Sequence, residues 1–273
     1  MAELRIRNGS PVPCRAVLFD KDGTLLDMLR MWGAWAEEVL DGLEHRLNHE
    51  GVGWIGLRDS VLGTVRGAEG RIAAYDPAGP LPMATEEQAY GLLAWQLYAA
   101  AGMPWNEALT EVMAICGRAS EGVRRRRLAY PVPGLLPFLE SCRAASIPLG
   151  VVTSDGSAAT AEHLDWLGVA DRFAAVVTRD RARLGKPDPE MALMALRELG
   201  VSADETVLIG DSNADMQMGR RAGLRCCIGL SPSGERGPLL DADVIVKDYT
   251  ELEVRGQADK ERGQADKERR QTT

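Results

Sequence analysis

A series of short apolar runs constrains this chain more than any other feature: AVLFD (16–20), IPLGVVTSD (147–155), FAAVV (173–177), TVLIGD (206–211), LRCCIGL (224–230) and DVIV (243–246). Each is bounded by turn residues. Helix-like stretches separate the later ones: PGLLPFLESCRAAS from Pro133, SAATAEHLDWLG up to Gly168, and DPEMALMALRELG up to Gly200, where glycine suits a helix stop. Strands joined by crossover helices lie parallel, and parallel strands buried on both faces read as continuous apolar runs. The pattern predicts an α/β fold with a doubly wound parallel sheet.

One interval breaks the rhythm. Between Asp27 and about Leu128 no strand-like run occurs, and Met28, Trp32, Trp35, Val39, Leu43 and Leu47 step by three or four along one helix face. Thr85 and Gln88 have the spacing of a capping box ahead of the apolar stretch that ends near Ala101. The loop YDPAGPLP divides the interval in two. The expectation is an all-helical insertion over 27–128 within a core made of 1–26 and 129–254. The segment YPVPG (130–134) is a stiff hinge candidate, because proline restricts its own φ and the residue before it. RGQADKE occurs twice in tandem, from Arg255 and from Arg262, with no apolar seam, so 255–273 reads as a polar tail and not a coiled coil.

A chain of 273 residues is long enough for such a core with an insertion. Its formal net charge of -8 argues against a general nucleic-acid surface, although a local basic pocket stays open. No segment approaches the roughly 18 apolar residues of a membrane span, and MAELRIRNGSPVPC lacks the apolar run of a signal peptide. Five scattered cysteines without a CxxC fit reduced thiols, so the expected location is cytoplasmic. Nothing in the pattern fixes an oligomeric state.

The strand ends carry the chemistry. In a parallel sheet they share one edge, where ligands bind. The first run ends in Asp20 and Asp22, the second in Thr153 and Ser154, and the fourth in GDSNAD with Asp211 and Asp215; TRDRARLGKPDPE after the third supplies Lys186. Carboxylates from separate strands suit a hard divalent cation such as Mg²⁺, and Asp20 and Asp211 fit that role. On an extended strand Asp20 and Asp22 face the same way while Lys21 points elsewhere. The pair then offers one nucleophile and one proton carrier, and Gly23 lets the chain turn so that nearby N–H groups cradle phosphate oxygens.

DKDGT, VVTS, GKPDP and GDSNAD, in that order and each at a strand end, resemble the four motifs of the haloacid dehalogenase superfamily. The helical insertion resembles that family's cap, as in phosphoglycolate phosphatases. The resemblance implies an Mg²⁺-dependent phosphomonoester hydrolase whose partner is a small phosphorylated metabolite, with 2-phosphoglycolate as the single best substrate. It implies that Asp20 attacks phosphorus and becomes an aspartyl-phosphate, that Asp22 carries the proton, and that Thr153 donates to the phosphoryl group. Lys186 then steadies the charge, and Asp20, Asp211 and the main-chain carbonyl of Asp22 hold the metal. Asp215 is either a ligand or its outer partner. Lys21 stands where relatives often have an apolar residue, so its ammonium needs solvent or a partner.

Other readings stay beside this one. The same scaffold supports a sugar-phosphate mutase or another phosphotransfer, and a non-catalytic phosphate-binding regulator is a third class. Carbon–phosphorus cleavage would need a Schiff-base lysine in the insertion, and no lysine occurs between Asp27 and Leu128. Asp215, Thr153 and Ser154 could simply cap helices or turns. His45 and His49 have i, i+4 spacing but no third ligand, and read as a solvated pair. Arg124–Arg127 reads as a solvated helix end, with an anionic substrate tail as the alternative. The tryptophans of the insertion read as core, although Trp32 or Trp35 could wall a pocket.

Overall fold

The computed structural model describes residues 2–7 and 9–256. The chain divides into two compact units, Met1–Leu26 with Pro131–Thr273, and Asp27–Tyr130. The RGQADKE repeat lies outside the described residues, apart from Arg255 and Gly256.

The first unit opens with β1 (Ala2–Ile6), β2 (Val12–Cys14) and β3 (Ala16–Phe19). The second holds α1 (Ala34–His49), β4 (Thr64–Arg66), β5 (Ile72–Tyr75), α2 (Pro80–Met83), α3 (Glu86–Ala101) and α4 (Trp105–Arg126). The first unit resumes with α5 (Leu135–Ala144), β6 (Leu149–Val152), α6 (Ser157–Trp166), β7 (Ala175–Val177), α7 (Glu190–Leu199), β8 (Thr206–Gly210), α8 (Asn213–Arg221), β9 (Cys226–Leu230), β10 (Val244–Val246) and β11 (Leu252–Arg255).

Six of these strands form the main sheet in the order β10-β9-β8-β3-β6-β7, and every pairing is parallel. The doubly wound sheet follows from the sequence pattern: β3, β6, β8 and β9 are buried along their whole length, as strands covered on both faces must be. One face packs Val17, Phe19, Val151, Val207 and Ile209 against α5, and the other packs Leu18, Val152 and Leu208 against α7 and α8. β3 is central, with β6 on one side and β8 on the other. The chain therefore leaves the sheet in opposite directions from its two flanks, and the crevice between the strand ends opens beside β3.

Phe19, the last residue of β3, is fully buried in edge-to-face contact with Phe138 and Phe173, at centroid distances of 6.2 and 5.9 Å. Such pairs add about 0.5–1.5 kcal/mol each beyond area burial. They fix the strand end from which the next residue, Asp20, projects. A second anchor is Tyr249, whose buried hydroxyl donates to the Thr24 carbonyl at 3.1 Å and so holds the loop after β3.

Two features lie outside the expected pattern. β1, β2 and β11 form a separate antiparallel sheet in the order β11-β1-β2. The insertion is helical except for the antiparallel hairpin of β4 and β5. These strands are three and four residues long and interrupted by a register shift, so they leave no period in the sequence. Elsewhere the insertion follows its signals. Thr85 and Gln88 form the reciprocal capping box of α3. Trp35, Val39, Leu43 and Leu47 are the buried face of α1. Trp32, half-buried, meets the buried Trp35 edge to face at 5.9 Å, and the Trp35 indole N–H donates to Ser120 Oγ at 3.2 Å. His45 and His49 are exposed.

Candidate active site

The end of β3 is tied to the neighbouring strand: the Asp20 N–H donates to the Ile209 carbonyl of β8 at 3.0 Å. Asp20 is only 7% exposed. Its carboxylate Oδ1 forms an ion pair with Lys186 Nζ. The same ammonium reaches Asp215 Oδ1 at 2.6 Å. Lys186 thus bridges two buried carboxylates. Burial works against its charge, but Asp20 and Asp215 outweigh that and hold its pKa above the ordinary lysine value.

Asp20, Asp211 and Asp215 each present a carboxylate oxygen within 4.8 Å of the other two. Burial, with the Asp215 and Asp22 charges, pushes Asp20 up to about 7 against the pull of Lys186. Burial and the charges of Asp20 and Asp215 lift Asp211 well above the carboxylate range. One ammonium does not neutralise this set. A hard divalent cation would, and an all-oxygen donor group of this kind fits Mg²⁺. Asp215 also holds the start of α8. Its Oδ2 accepts from the Ser212 N–H at 3.1 Å and from Ser212 Oγ at 2.6 Å, closing the capping box of that helix. Asp215 thus both closes the capping box and lies within the carboxylate cluster with Asp20 and Asp211.

Gly23 explains how Asp211 comes so near. Its φ is +74°, a conformation glycine adopts freely. A Cβ on Gly23 would lie 1.9 Å from Asp211 Oδ2. The absent side chain is the space that Asp211 occupies.

Two expectations need correction. β3 stops at Phe19, so Asp20–Asp22 lies in a turn and strand alternation does not govern it. Lys21 does not point away: its side chain is fully buried and its Nζ meets Asp22 Oδ2 at 2.7 Å. Within the loop, the N–H groups of Gly23 to Leu26 are bonded to carbonyls of the turn itself. The Gly23 N–H donates to the Leu26 carbonyl, and those of Thr24, Leu25 and Leu26 all point to the Lys21 carbonyl.

Lys21 also reaches Asp155 Oδ2 at 3.0 Å and His163 Nδ1 at 3.0 Å. Burial would lower its pKa, but Asp22 and Asp155 more than offset this and raise it. The carboxylate of Asp22 therefore belongs with Asp155 and His163, apart from the cluster of Asp20, Asp211 and Asp215. Asp155 and His163 escaped the sequence reading; the only signal was the unmatched charge of Lys21. Thr153 is buried at the end of β6, and its Oγ1 accepts from the Asp155 N–H at 3.2 Å. Its hydroxyl proton is left to give elsewhere.

The described residues thus bring together a buried carboxylate paired to a lysine, two further carboxylates, a second carboxylate–lysine pair and a hydroxyl. That set can attack phosphorus, offset phosphate charge and carry a proton.

A haloacid dehalogenase-like hydrolase family model matches residues 14–223. The phosphoglycolate phosphatase of Rhodospirillum rubrum is 29% identical over 244 residues, covering 87% of this chain and 89% of its own. The validoxylamine A 7'-phosphate phosphatase of Streptomyces hygroscopicus subsp. limoneus is 30% identical over 162 residues, covering 55% of this chain and 76% of its own. Among solved structures, a predicted phosphoglycolate phosphatase from Haemophilus somnus superposes with a TM-score of 0.62 at 16% identity, over 86% of this chain and 95% of that one. With the family model matched over most of the length, the chain belongs to the haloacid dehalogenase-like hydrolases, and with phosphatases among its relatives it is a phosphoric monoester hydrolase.

Proposed function

We propose that the protein hydrolyses a small phosphomonoester in two displacements at Asp20, with 2-phosphoglycolate as the foremost substrate. The observation that carries this reading is Asp20 itself, a buried carboxylate held by Lys186 at the end of the central strand.

Asp20 and Lys186 are mutually oriented before substrate arrives. One Asp20 oxygen attacks phosphorus, the ester P–O bond breaks, and its electron pair leaves with the alcohol oxygen. Asp22 gives that oxygen a proton. Asp22 then takes a proton from water as the water oxygen attacks phosphorus. The bond from phosphorus to Asp20 breaks and returns a free carboxylate with inorganic phosphate. The Thr153 hydroxyl donates to a phosphoryl oxygen, and Lys186 balances phosphoryl charge throughout. Asp20, Asp211 and Asp215 are the side chains that would hold Mg²⁺, which supplies charge neutralisation when bound.

The substrate assignment is supported by the Rhodospirillum relative, because its similarity extends over both units of this chain. The selection of the organic group is assigned to the insertion, since the reacting groups all lie in the first unit. The test is phosphate release from a panel of small esters with Mg²⁺, including 2-phosphoglycolate, sugar phosphates and phosphoserine. A kcat/KM for 2-phosphoglycolate at least about tenfold above the rest is expected. A higher value for a sugar phosphate would overturn the substrate, and absence of release from every ester would overturn the function.

A further inference from the structure

The fully buried ammonium of Lys21 lies among three groups that would otherwise make a cation site: Asp22 Oδ2 at 2.7 Å, Asp155 Oδ2 at 3.0 Å and His163 Nδ1 at 3.0 Å. These partners come from separate parts of the fold. Asp22 lies in the turn after β3, Asp155 in the turn after β6, and His163 on α6. Asp22 keeps 22% of its side chain exposed, whereas Lys21 has none. The buried partner therefore fixes the more exposed one. Asp155 is itself anchored from the strand end, since its N–H donates to Thr153 Oγ1 and its carbonyl accepts from the Arg179 N–H.

We propose that Lys21 is a positioning residue: a resident cation that ties the Asp22 carboxylate to Asp155 and His163 and so sets where Asp22 meets the leaving oxygen. The inference rests on the proposed role of Asp22 in the phosphatase reaction. A buried lysine kept only for stability would be a poor choice, because apolar replacements of buried ion pairs are often as stable or more so. A proton carrier misplaced by about 1 Å loses on the order of 10²-fold in rate.

The step at issue breaks the ester bond and protonates the departing oxygen. A nitrophenolate leaves without that proton; an alkoxide does not. The experiment compares wild type, Lys21→Met and Lys21→Met/Asp155→Asn with Mg²⁺. It measures single-turnover release of glycolate from 2-phosphoglycolate and of nitrophenol from 4-nitrophenyl phosphate. Melting temperatures and crystal structures accompany the rates.

Lys21→Met is expected to slow glycolate release about 10²-fold while nitrophenol release stays within about threefold. The double variant removes the carboxylate left facing Asp22, so it should regain melting temperature without regaining glycolate release. The crystal structure of either variant should show the Asp22 carboxylate displaced. Equal losses on both esters, glycolate release that recovers together with stability, or an unmoved Asp22 carboxylate would each overturn the proposal. Should Lys21→Met not fold, Asp155→Asn alone carries the same rate and structural comparison. If wild type hydrolyses neither ester, the phosphatase reading fails, and the position of Asp22 in the crystals still decides the role of Lys21.

Discussion

Replacing Gly23 with alanine probes the site through one atom. Two costs follow from the structure. A non-glycine residue at φ +74° loses roughly 1 kcal/mol, which for a protein of this size lowers the melting temperature by about 2–4 °C. The second cost falls on the site. The new Cβ would lie 1.9 Å from Asp211 Oδ2 and 2.5 Å from its Cγ, so a movement of about 1 Å or more is needed. The turn has little room to give. The Gly23 N–H is bonded to the Leu26 carbonyl at 2.9 Å, the Leu25 N–H to the Lys21 carbonyl at 2.8 Å, and Tyr249 holds Thr24 from below. Asp211 must therefore swing away from Asp20 and Asp215. Turnover of 2-phosphoglycolate should fall by about 10²-fold, and half-saturation by Mg²⁺ should rise. Steady-state rates across a Mg²⁺ titration, beside a thermal melt, measure both costs. A folded Gly23→Ala protein with wild-type kcat and wild-type Mg²⁺ dependence would refute the argument that this glycine reserves the space of a metal-binding carboxylate.

Asp20→Asn keeps the size of the nucleophile and removes its charge; turnover should drop by about 10³-fold or more, and near-normal activity would rule out Asp20 as the attacking group. Asp211→Ala should retain activity only at much higher Mg²⁺, and chelation should abolish wild-type activity until Mg²⁺ is returned; restoration by zinc alone would contradict the all-oxygen site. Asp20 and Asp211 both have folded pKa values raised by burial above the unfolded value, so protonation favours the fold. The chelated protein should therefore lose stability as pH rises from about 4 to about 7, and Mg²⁺ should restore more melting temperature at pH 8 than at pH 5; a Mg²⁺ effect independent of pH would contradict this. Replacing 30–127 by a short linker should leave weak hydrolysis of 4-nitrophenyl phosphate and erase preference among alkyl esters, whereas unchanged preference in a folded product would move specificity into the first unit.

The sheet was legible because its strands are buried on both faces. Phe19, Val151 and Ile209 sit in runs with no polar interruption, and such runs have few alternatives. The ends of α3 and α7 were legible for local reasons, Thr85 with Gln88 and Gly200. The β1–β2–β11 sheet was not, because Leu4 pairs with Val254 across nearly the whole chain and each strand alone is too short to show a period. Lys186, Asp211 and Asp215 were found from their places after strands, and the structure gathers them with Asp20. Lys21 has the partners its charge demands, but the reading that it points away from Asp22 failed for a definite reason: alternation holds on a strand, and the strand had already ended. A lysine directly after an apolar run signals a buried partner, but the identity of that partner depends on which helix covers the strand end. His163 is 142 residues away and has no local mark.

The two lysines divide the charge of the site. Five carboxylates, those of Asp20, Asp22, Asp155, Asp211 and Asp215, lie around two ammonium groups. Each ammonium bridges two carboxylates: Lys186 joins Asp20 to Asp215, and Lys21 joins Asp22 to Asp155. Neither lysine bridges Asp211, and it is the carboxyl whose pKa burial and its neighbours drive well above the ordinary range. A phosphate ester brings further negative charge to the same place. Without another cation, the ester would meet net repulsion, and burial with the neighbouring carboxylates would favour the protonated form of Asp20, which is no nucleophile. A divalent cation held by Asp211 and Asp20 would remove both obstacles together. Lys21 cannot substitute for it, because its ammonium is held by Asp22, Asp155 and His163. On this reading the resident lysines fix the nucleophile and the proton carrier, while the exchangeable metal makes the site accept its substrate.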